Sequence, residues 1–294
     1  MSAETFEANG MQAQSMRRAS MRERLLNPWP RINWQGVLIV VIAVLAYRWG
    51  LEGAQVDAGE FVEGLPSIWN FLVRLMPPTL EMAPWTVPVI GTVIPFPVVI
   101  FSIVETLQMA VIGTSLAIVL AIPFALLAAR NTAPRPWIYQ VTRLILNANR
   151  AVPEIIFALI FVAAVGLGPF GGVLALAVGS IGSLSKVYAE SIEAIDPQQV
   201  LAVRATGASQ LQIFLYSVIP QALPLMASYS LLYFEHNVRS ATILGLVGAG
   251  GVGFIISKYI SLFQYHHLMG ALALIIIMVT LVDRISAMLR QRLT

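Results

Sequence analysis

Residues 106–129 read TLQMAVIGTSLAIVLAIPFALLAA and contain no charged side chain. A helix of about 20 apolar residues crosses the hydrocarbon core of a bilayer. Further uncharged stretches lie at residues 32–47, 155–185, 205–234, 240–257 and 259–282. Only 11% of all positions are charged, whereas soluble domains carry about 25%. The sequence therefore predicts an all-α membrane protein.

The arginines indicate the orientation of the spans, because basic residues collect on the cytoplasmic side of a membrane. Residues 1–33 contain several arginines and no long apolar run, so we interpret them as a basic cytoplasmic arm before a first transmembrane helix at residues 34–50. Residues 130–150 carry arginines and no acid, which predicts a cytoplasmic loop. The arginine-rich tail from residue 284 onward places the carboxyl end in the cytoplasm as well.

Residues 51–102 are rich in acids and prolines, which predicts an external segment. Apolar residues at helical spacing between Phe61 and Leu75 add an interfacial helix to it. Two cytoplasmic ends require an even number of crossings, and we expect about six. The glycine-rich residues 241–254 are then a re-entrant or interfacial segment. Residues 103–290 form the core transmembrane domain, including a cytoplasmic loop at 186–217.

Several kinds of site are excluded by what the sequence lacks. The run at 248–253 fits G-x-G-x-x-G, but apolar sequence and no nearby acid follow it, so we reject a dinucleotide site. No phosphate-binding P-loop surrounds Lys186 or Lys258, the two lysines of the chain. Cysteine is absent, and the histidines have no carboxylate at ligand spacing. We expect no catalytic residue, no metal site and no nucleic-acid binding.

The cytoplasmic stretch that begins at Asp196 carries the most specific local signal. Asp196 suits the N-cap of a helix and Pro197 its first position. Gly207 suits the end of that helix. The result is a short helix with small side chains between two spans. Taken alone, this pattern fits an ordinary amphipathic connector as well.

Residues 196–220 resemble the cytoplasmic coupling loop of ABC importer permeases. That pattern has E-A-A, then glycine, then an isoleucine and Leu-Pro. Here Leu201-Ala202-Val203 is followed by Gly207 and then by Ser217, Ile219 and Pro220, with the glycine-to-proline spacing kept. Leu201, Val203 and Ser217 depart from the pattern.

A second stretch narrows the resemblance to one subfamily. Residues 237–253, NVRSATILGLVGAGGVG, are similar to the signature of phosphonate-importer permeases. Residues 150–154, RAVPE, and 75–78, LMPP, fit the same subfamily. The likeness extends from about Trp69 to the end of the chain.

The resemblance implies the type I ABC importer permease (MetI-like) architecture in a bacterial cytoplasmic (inner) membrane. It implies a homodimer of this chain, two cytoplasmic ATPase subunits and an external or periplasmic solute-binding protein. The cargo would be a phosphonate or a related oxyanion such as phosphite. This chain would bind no cofactor, and ATP and Mg would lie on the ATPase. Residues 197–209 would be the coupling helix, through Pro197, Leu201, Ala202, Val203, Arg204, Gly207 and Ala208.

The translocation pathway needs polar groups at membrane depth. A central charge costs about 2.5 to 3.5 kcal/mol on insertion scales and usually faces a cavity or a partner. Glu235, Asn237 and Arg239 are candidates because they lie between two uncharged stretches. Thr242, Gly248, Gly250 and Gly251 in the adjoining glycine-rich segment are the other candidates. We assign Glu105, Arg150 and Glu154 to membrane interfaces instead. His236 belongs to the same polar group as Glu235 and Asn237.

Two alternative functions remain open from the sequence. One is a permease of the same class for methionine, taurine or nitrate. The other is a secondary transporter or membrane anchor without an ATPase, which leaves the pattern of residues 196–220 unexplained.

Overall fold

The computed structural model describes residues 34–54, 58–86 and 93–292. The predicted basic arm at 1–33 lies outside the described residues, as do parts of the predicted external segment 51–102. The chain divides into two compact units, Met1–Ile68 and Trp69–Thr294. The first contains helix α1 (Trp34–Gly53), which has no buried residue and is apolar enough to span a membrane. Helix α2 (Ala58–Leu75) begins in the first unit and ends in the second.

The second unit contains a short hairpin and a helical bundle. Strands β1 (Met82–Thr86) and β2 (Val93–Pro97) pair antiparallel, with Ala83 opposite Phe96. The remaining elements follow in chain order: α3 (Val98–Ala128), α4 (Pro136–Ala151), α5 (Glu154–Val165), α6 (Pro169–Glu193), α7 (Pro197–Ala205), α8 (Gln210–Ile213), a π-helical turn (Phe214–Val218), α9 (Ile219–Gly245), α10 (Gly251–Ser261) and α11 (Tyr265–Arg290). The prolines of the hairpin concealed its strand pattern in the sequence.

The described helices agree with a bundle of about six crossings. Five of them, α1, α3, α6, the continuous α8–α9 segment and α11, are long and apolar enough to cross. Helices α4 and α5 meet at 83° and make a sixth crossing when the pair is counted as one bent span. Helix α10, with 11 residues, is about 16 Å long, which is too short to cross.

Three sequence-based predictions of element boundaries differ from the structure. Residues 130–150 were predicted as a loop, yet most of them form the amphipathic helix α4. The third span was placed at about Ala151, whereas α5 begins at Glu154, because Pro153 lacks the N–H that a continuous helix needs at that position. The predicted non-crossing segment also begins later than expected, since α9 continues to Gly245.

Small residues bring α3 and α6 together at the centre of the bundle. Along α3, Ala110, Ala117, Ala121 and Ala125 are buried. A Cβ atom at Gly113 would lie 2.8 Å from Cβ of Leu176 on α6. Without a hydrophobic driving force between helices in lipid, close backbone packing of this kind holds spans together.

The segment between α2 and the hairpin is held to α10 by a polar contact. This contact lies at the end of the bundle opposite α7. The carboxylate of Glu81 lies 3.0 Å from Nζ of Lys258 and accepts a hydrogen bond from the hydroxyl of Tyr259 at 2.8 Å. The Lys258 ammonium and the Tyr259 hydroxyl hold the pKa of Glu81 below its ordinary value. The backbone N–H of Thr79 donates to the carbonyl of His266 at 3.1 Å.

Candidate coupling and translocation sites

The helix predicted at Asp196 is present with the expected ends. The side chain of Asp196 accepts a hydrogen bond from the backbone N–H of Gln198 at 2.9 Å, and Pro197 is the first residue of α7. The helix ends at Ala205, and Gly207 has a φ of +81°. None of the α7 residues is buried. The predicted helix and its two ends are therefore confirmed.

The amino end of α7 is hydrogen-bonded to α9. The backbone N–H of Asp196 donates to Oε1 of Gln221 on α9 at 2.9 Å, and Nε2 of Gln221 donates to the carbonyl of Ser217 at 2.8 Å. A cavity of about 750 Å³ lies between α7 and the adjoining helix ends, with Leu126 and Phe214 in its wall. The start of α7 is therefore held against the start of α9.

The charged residues predicted for the pathway form a network between α9 and α11. Glu235 is buried, and its Oε1 lies 2.9 Å from the guanidinium of Arg290. Arg239 donates to Asp283 at 2.8 Å and lies 3.9 Å from Glu235. The charge of Arg239 is therefore balanced by two carboxylates of the same chain.

Asn237 joins three helices in the interior of the bundle. Its Nδ2 donates to Oγ1 of Thr114 on α3 at 2.9 Å, and its Oδ1 accepts from the hydroxyl of Ser180 on α6 at 2.9 Å. The residue is fully buried. In this structure Asn237 is a packed interhelical contact, and its assignment to the pathway stays a prediction.

The remaining predicted pathway residues lie at or near the turn between α9 and α10. Thr242 donates to the carbonyl of Val238 one turn earlier at 3.2 Å. Gly248, Gly250 and Gly251 have φ values of +92°, +80° and +66°, a conformation that glycine adopts without steric cost. The carbonyl of Gly248 accepts from the backbone N–H of Gly168 at 3.0 Å, which fixes this turn to the α5–α6 connection.

A polar cleft that sequence reasoning missed lies between the bend of α4–α5 and α9. Its volume is about 400 Å³, and its wall includes Arg150, Glu154, His236 and Ser240. Oε1 of Glu154 lies 3.1 Å from Nε2 of His236, and the hydroxyl of Ser240 lies 3.4 Å from the same nitrogen. The sequence analysis assigned Arg150 and Glu154 to membrane interfaces, because the sequence does not show the bend between α4 and α5 that places them in this cleft.

Gly179 of α6 lines this cleft, and Asn149 of α4 holds the neighbouring backbone of α6. A Cβ atom at Gly179 would lie 2.9 Å from Cγ of Glu154. Oδ1 of Asn149 accepts from the backbone N–H of Gly182 at 2.9 Å, and its Nδ2 donates to the carbonyl of Val178 at 3.1 Å. The sequence offered one signal for this close packing, namely the three-residue spacing of Gly179 and Gly182 together with the RAVPE motif.

Comparison with known protein families identifies the family of this chain. The family described as "Binding-protein-dependent transport system inner membrane component" matches residues 121–294. The chain belongs to this family. The match covers the end of α3 and all of α4 to α11, which include α7, the bent span and the α9–α11 helices.

Two curated relatives match most of the chain. The phosphite transport system permease protein PtxC of Stutzerimonas stutzeri is 38% identical over 93% of this chain and 95% of its own length. The putative phosphite transport system permease protein HtxC of the same species is 39% identical over 86% of this chain and 84% of its own length. The chain is a transport subunit of the multi-pass inner-membrane class.

A solved structure supports the fold. Inward-facing structures of the MetNI methionine ABC transporter include a chain that matches with a TM-score of 0.57 at 22% identity, covering 67% of this chain and 96% of that one. The type I importer permease architecture predicted from the sequence is confirmed.

Proposed function

We propose that this chain is the membrane-spanning permease subunit of an ATP-driven importer for phosphite or a related phosphonate. The observation that carries the proposal is the nearly full-length similarity to PtxC, whose name specifies phosphite transport. The exposed helix α7, capped by Asp196 and hydrogen-bonded to α9, supplies the contact that such a subunit needs with a separate motor.

The motor is a pair of cytoplasmic ATPase subunits that hold ATP and Mg. Helix α7 docks against the ATPase through its exposed residues, among which are Leu201 and Ala202. Closure of the ATPase pair displaces α7, and Gln221 transmits the displacement to α9. Residues 197–209 are therefore the coupling segment, as the resemblance implied.

The remaining partners follow from the same assembly. An external binding protein delivers the oxyanion to the face opposite α7, and both termini lie in the cytoplasm. A second copy of this chain completes the pathway. A different permease in place of the second copy is the alternative, which native mass spectrometry of the purified assembly distinguishes by subunit mass.

The other functions considered from the sequence are less well supported. The relatives that match most of the chain are named as phosphite permeases, which favours a phosphorus oxyanion over methionine, taurine or nitrate. A secondary transporter or simple anchor would have no use for an exposed, capped helix with the spacing of a coupling loop.

The test is uptake by cells that lack their own phosphite and phosphonate importers. The complete transport system containing this chain is expressed, and uptake of phosphite, methylphosphonate, phosphate and methionine is measured. We expect ATP-dependent uptake of phosphite or methylphosphonate in preference to methionine. Methionine uptake without phosphite or phosphonate uptake would support the alternative permease.

A further inference from the structure

The cleft at the bend of α4–α5 has the charge and the donors that an oxyanion requires. Glu154 is hydrogen-bonded to His236, and when His236 is protonated this pair carries no net charge. Within the described part of the chain, the guanidinium of Arg150 makes no hydrogen bond or ion pair. With His236 protonated, Arg150 therefore gives the cleft a net positive charge.

Arg239, the basic residue among the predicted pathway candidates, is in a different situation. It lies between Asp283 and Glu235, at 2.8 Å and 3.9 Å. A passing anion would have to compete with two carboxylates for its donors. The unpaired guanidinium of Arg150 is the better oxyanion contact, because its planar fork matches two oxygens of a phosphorus oxyanion.

The size and openness of the cleft suit a small solute. Its volume of about 400 Å³ is enough for a small tetrahedral oxyanion and several waters, each of which takes about 30 Å³. Ile243 in its wall is 53% exposed, so the cleft is accessible from outside the single chain. The hydroxyls of Ser183 and Ser240 add neutral polar groups beside the charged ones.

Resting on the proposed function, we propose that this cleft is a transit site for a small tetrahedral phosphorus oxyanion, with Arg150 as the charged contact. Glu154 orients His236, and the hydroxyl of Ser240 assists it. The free substrate is the intended occupant. The phosphate of a lipid headgroup shares the same chemistry, and the experiment separates the two.

A single introduced cysteine reports on the cleft directly, because the natural chain contains none. The variant Ile243→Cys is purified with its partners in nanodiscs and treated with a negatively or a positively charged methanethiosulfonate reagent. We expect faster labelling by the anionic reagent, and a decrease of at least fivefold in the anionic-to-cationic rate ratio when Arg150→Gln is added. Arg135→Gln, at the exposed start of α4, is the matched control and is expected to leave the ratio unchanged.

The occupant is identified by protection. Phosphite is expected to slow anionic labelling of Ile243→Cys at least threefold relative to chloride at equal ionic strength, and to lose this effect in the Arg150→Gln background. The protection is expected in nanodiscs of phosphatidylcholine as well as of phosphatidylglycerol. Labelling that responds to anionic lipid but not to phosphite would assign the cleft to headgroups and overturn the proposal.

Uptake separates this inference from the proposed function. Arg150→Gln is expected to reduce phosphite uptake about tenfold, with Arg150→Lys within threefold of the natural protein and assembly with the ATPase unchanged. If the natural chain supports uptake and Arg150→Gln changes neither uptake nor the labelling ratio, the transit site is wrong and the importer assignment stands. If the natural chain carries no phosphorus oxyanion, the importer assignment itself fails.

Discussion

The guanidinium of Arg143 lies 3.1 Å from both carboxylate oxygens of Glu193, and its Nε donates to the carbonyl of Ala128 at 3.0 Å. One side chain of α4 thus binds the last residue of α6 and the last residue of α3. The backbone N–H of Arg130 also donates to Glu193, at 2.7 Å. Because Glu193 precedes the cap of α7 by three residues, this contact lies between α7 and the bent span.

Breaking this contact is predicted to weaken coupling as well as stability. The two side chains are only 25% exposed, and hydrogen bonds to charged groups contribute about 1.5 to 3 kcal/mol. Arg143→Gln and Glu193→Gln should each lower the melting temperature of the purified assembly by several degrees. Each should also reduce phosphite uptake more than ATP hydrolysis, as measured in proteoliposomes.

The charge-swapped pair Arg143→Glu with Glu193→Arg tests whether the contact itself matters. Partial recovery of uptake relative to either single swap is expected. Equal loss in the single and double variants would show that the two residues act independently.

The exposed face of α7 is predicted to be needed for coupling and not for folding. Gly207 has a positive φ, so a larger residue there would strain the backbone. A loss of coupling could then not be separated from a loss of local structure. Ala202→Arg is the cleaner change, since Ala202 is exposed in a regular helix. We expect normal membrane insertion, loss of co-purifying ATPase and at least a tenfold decrease in uptake.

Gln140→Arg is the matched control, because Gln140 is exposed on the first half of α4 and the change introduces the same side chain. It should retain the ATPase and the uptake. ATPase retention in Ala202→Arg at the natural level would remove α7 from the docking surface.

The interhelical contacts of Asn237 are predicted to stabilise the bundle. Asn237→Ala removes hydrogen bonds to Thr114 and Ser180 and leaves both hydroxyls without this partner. Such bonds in membranes contribute about 0.6 to 2 kcal/mol each. We expect a lower unfolding temperature in detergent, with the ATPase still bound. An unchanged melting curve would argue that Asn237 is held by packing alone.

The contact of Glu81 with Lys258 is predicted to give a specific dependence on pH. The pKa of Glu81 in the folded chain lies below its ordinary value of 4.5. The contact therefore stabilises the fold at neutral pH, and its contribution is lost as the pH falls below that value. The difference in melting temperature between the natural chain and Glu81→Gln should be largest near pH 7 and should shrink at about pH 4.

The control for this prediction is the same pair of proteins at high salt. Screening should reduce the difference at pH 7, since the Lys258 and Glu81 side chains are 38% and 34% exposed. A difference that stays constant from pH 7 to about pH 4 would contradict the ionic interpretation.

The covalent sequence was sufficient for the features that depend on local chemistry. Uncharged stretches such as residues 106–129 indicated the spans, and Asp196, Pro197 and Gly207 marked the ends of α7 through capping and backbone preferences. The hairpin was not predicted, because its prolines hide the alternation of a strand. The angle between α4 and α5 was also not predictable, since Pro153 indicates a break but not its direction.

The candidate site depended on contacts between residues far apart in the chain. Arg239 was a reasonable pathway residue because of its charge and its polar neighbours in the sequence. Asp283, on another helix, balances that charge in the structure. Arg150 and Glu154 had no apparent reason to lie beside His236 until the bent span packed against the glycines of α6. The sequence by itself determined the membrane environment, the approximate number of spans and the short helix α7, because hydrophobicity and capping act over a few residues. Only the tertiary structure decided which charged side chains are paired and which are not, because pairing is set by distances across the bundle.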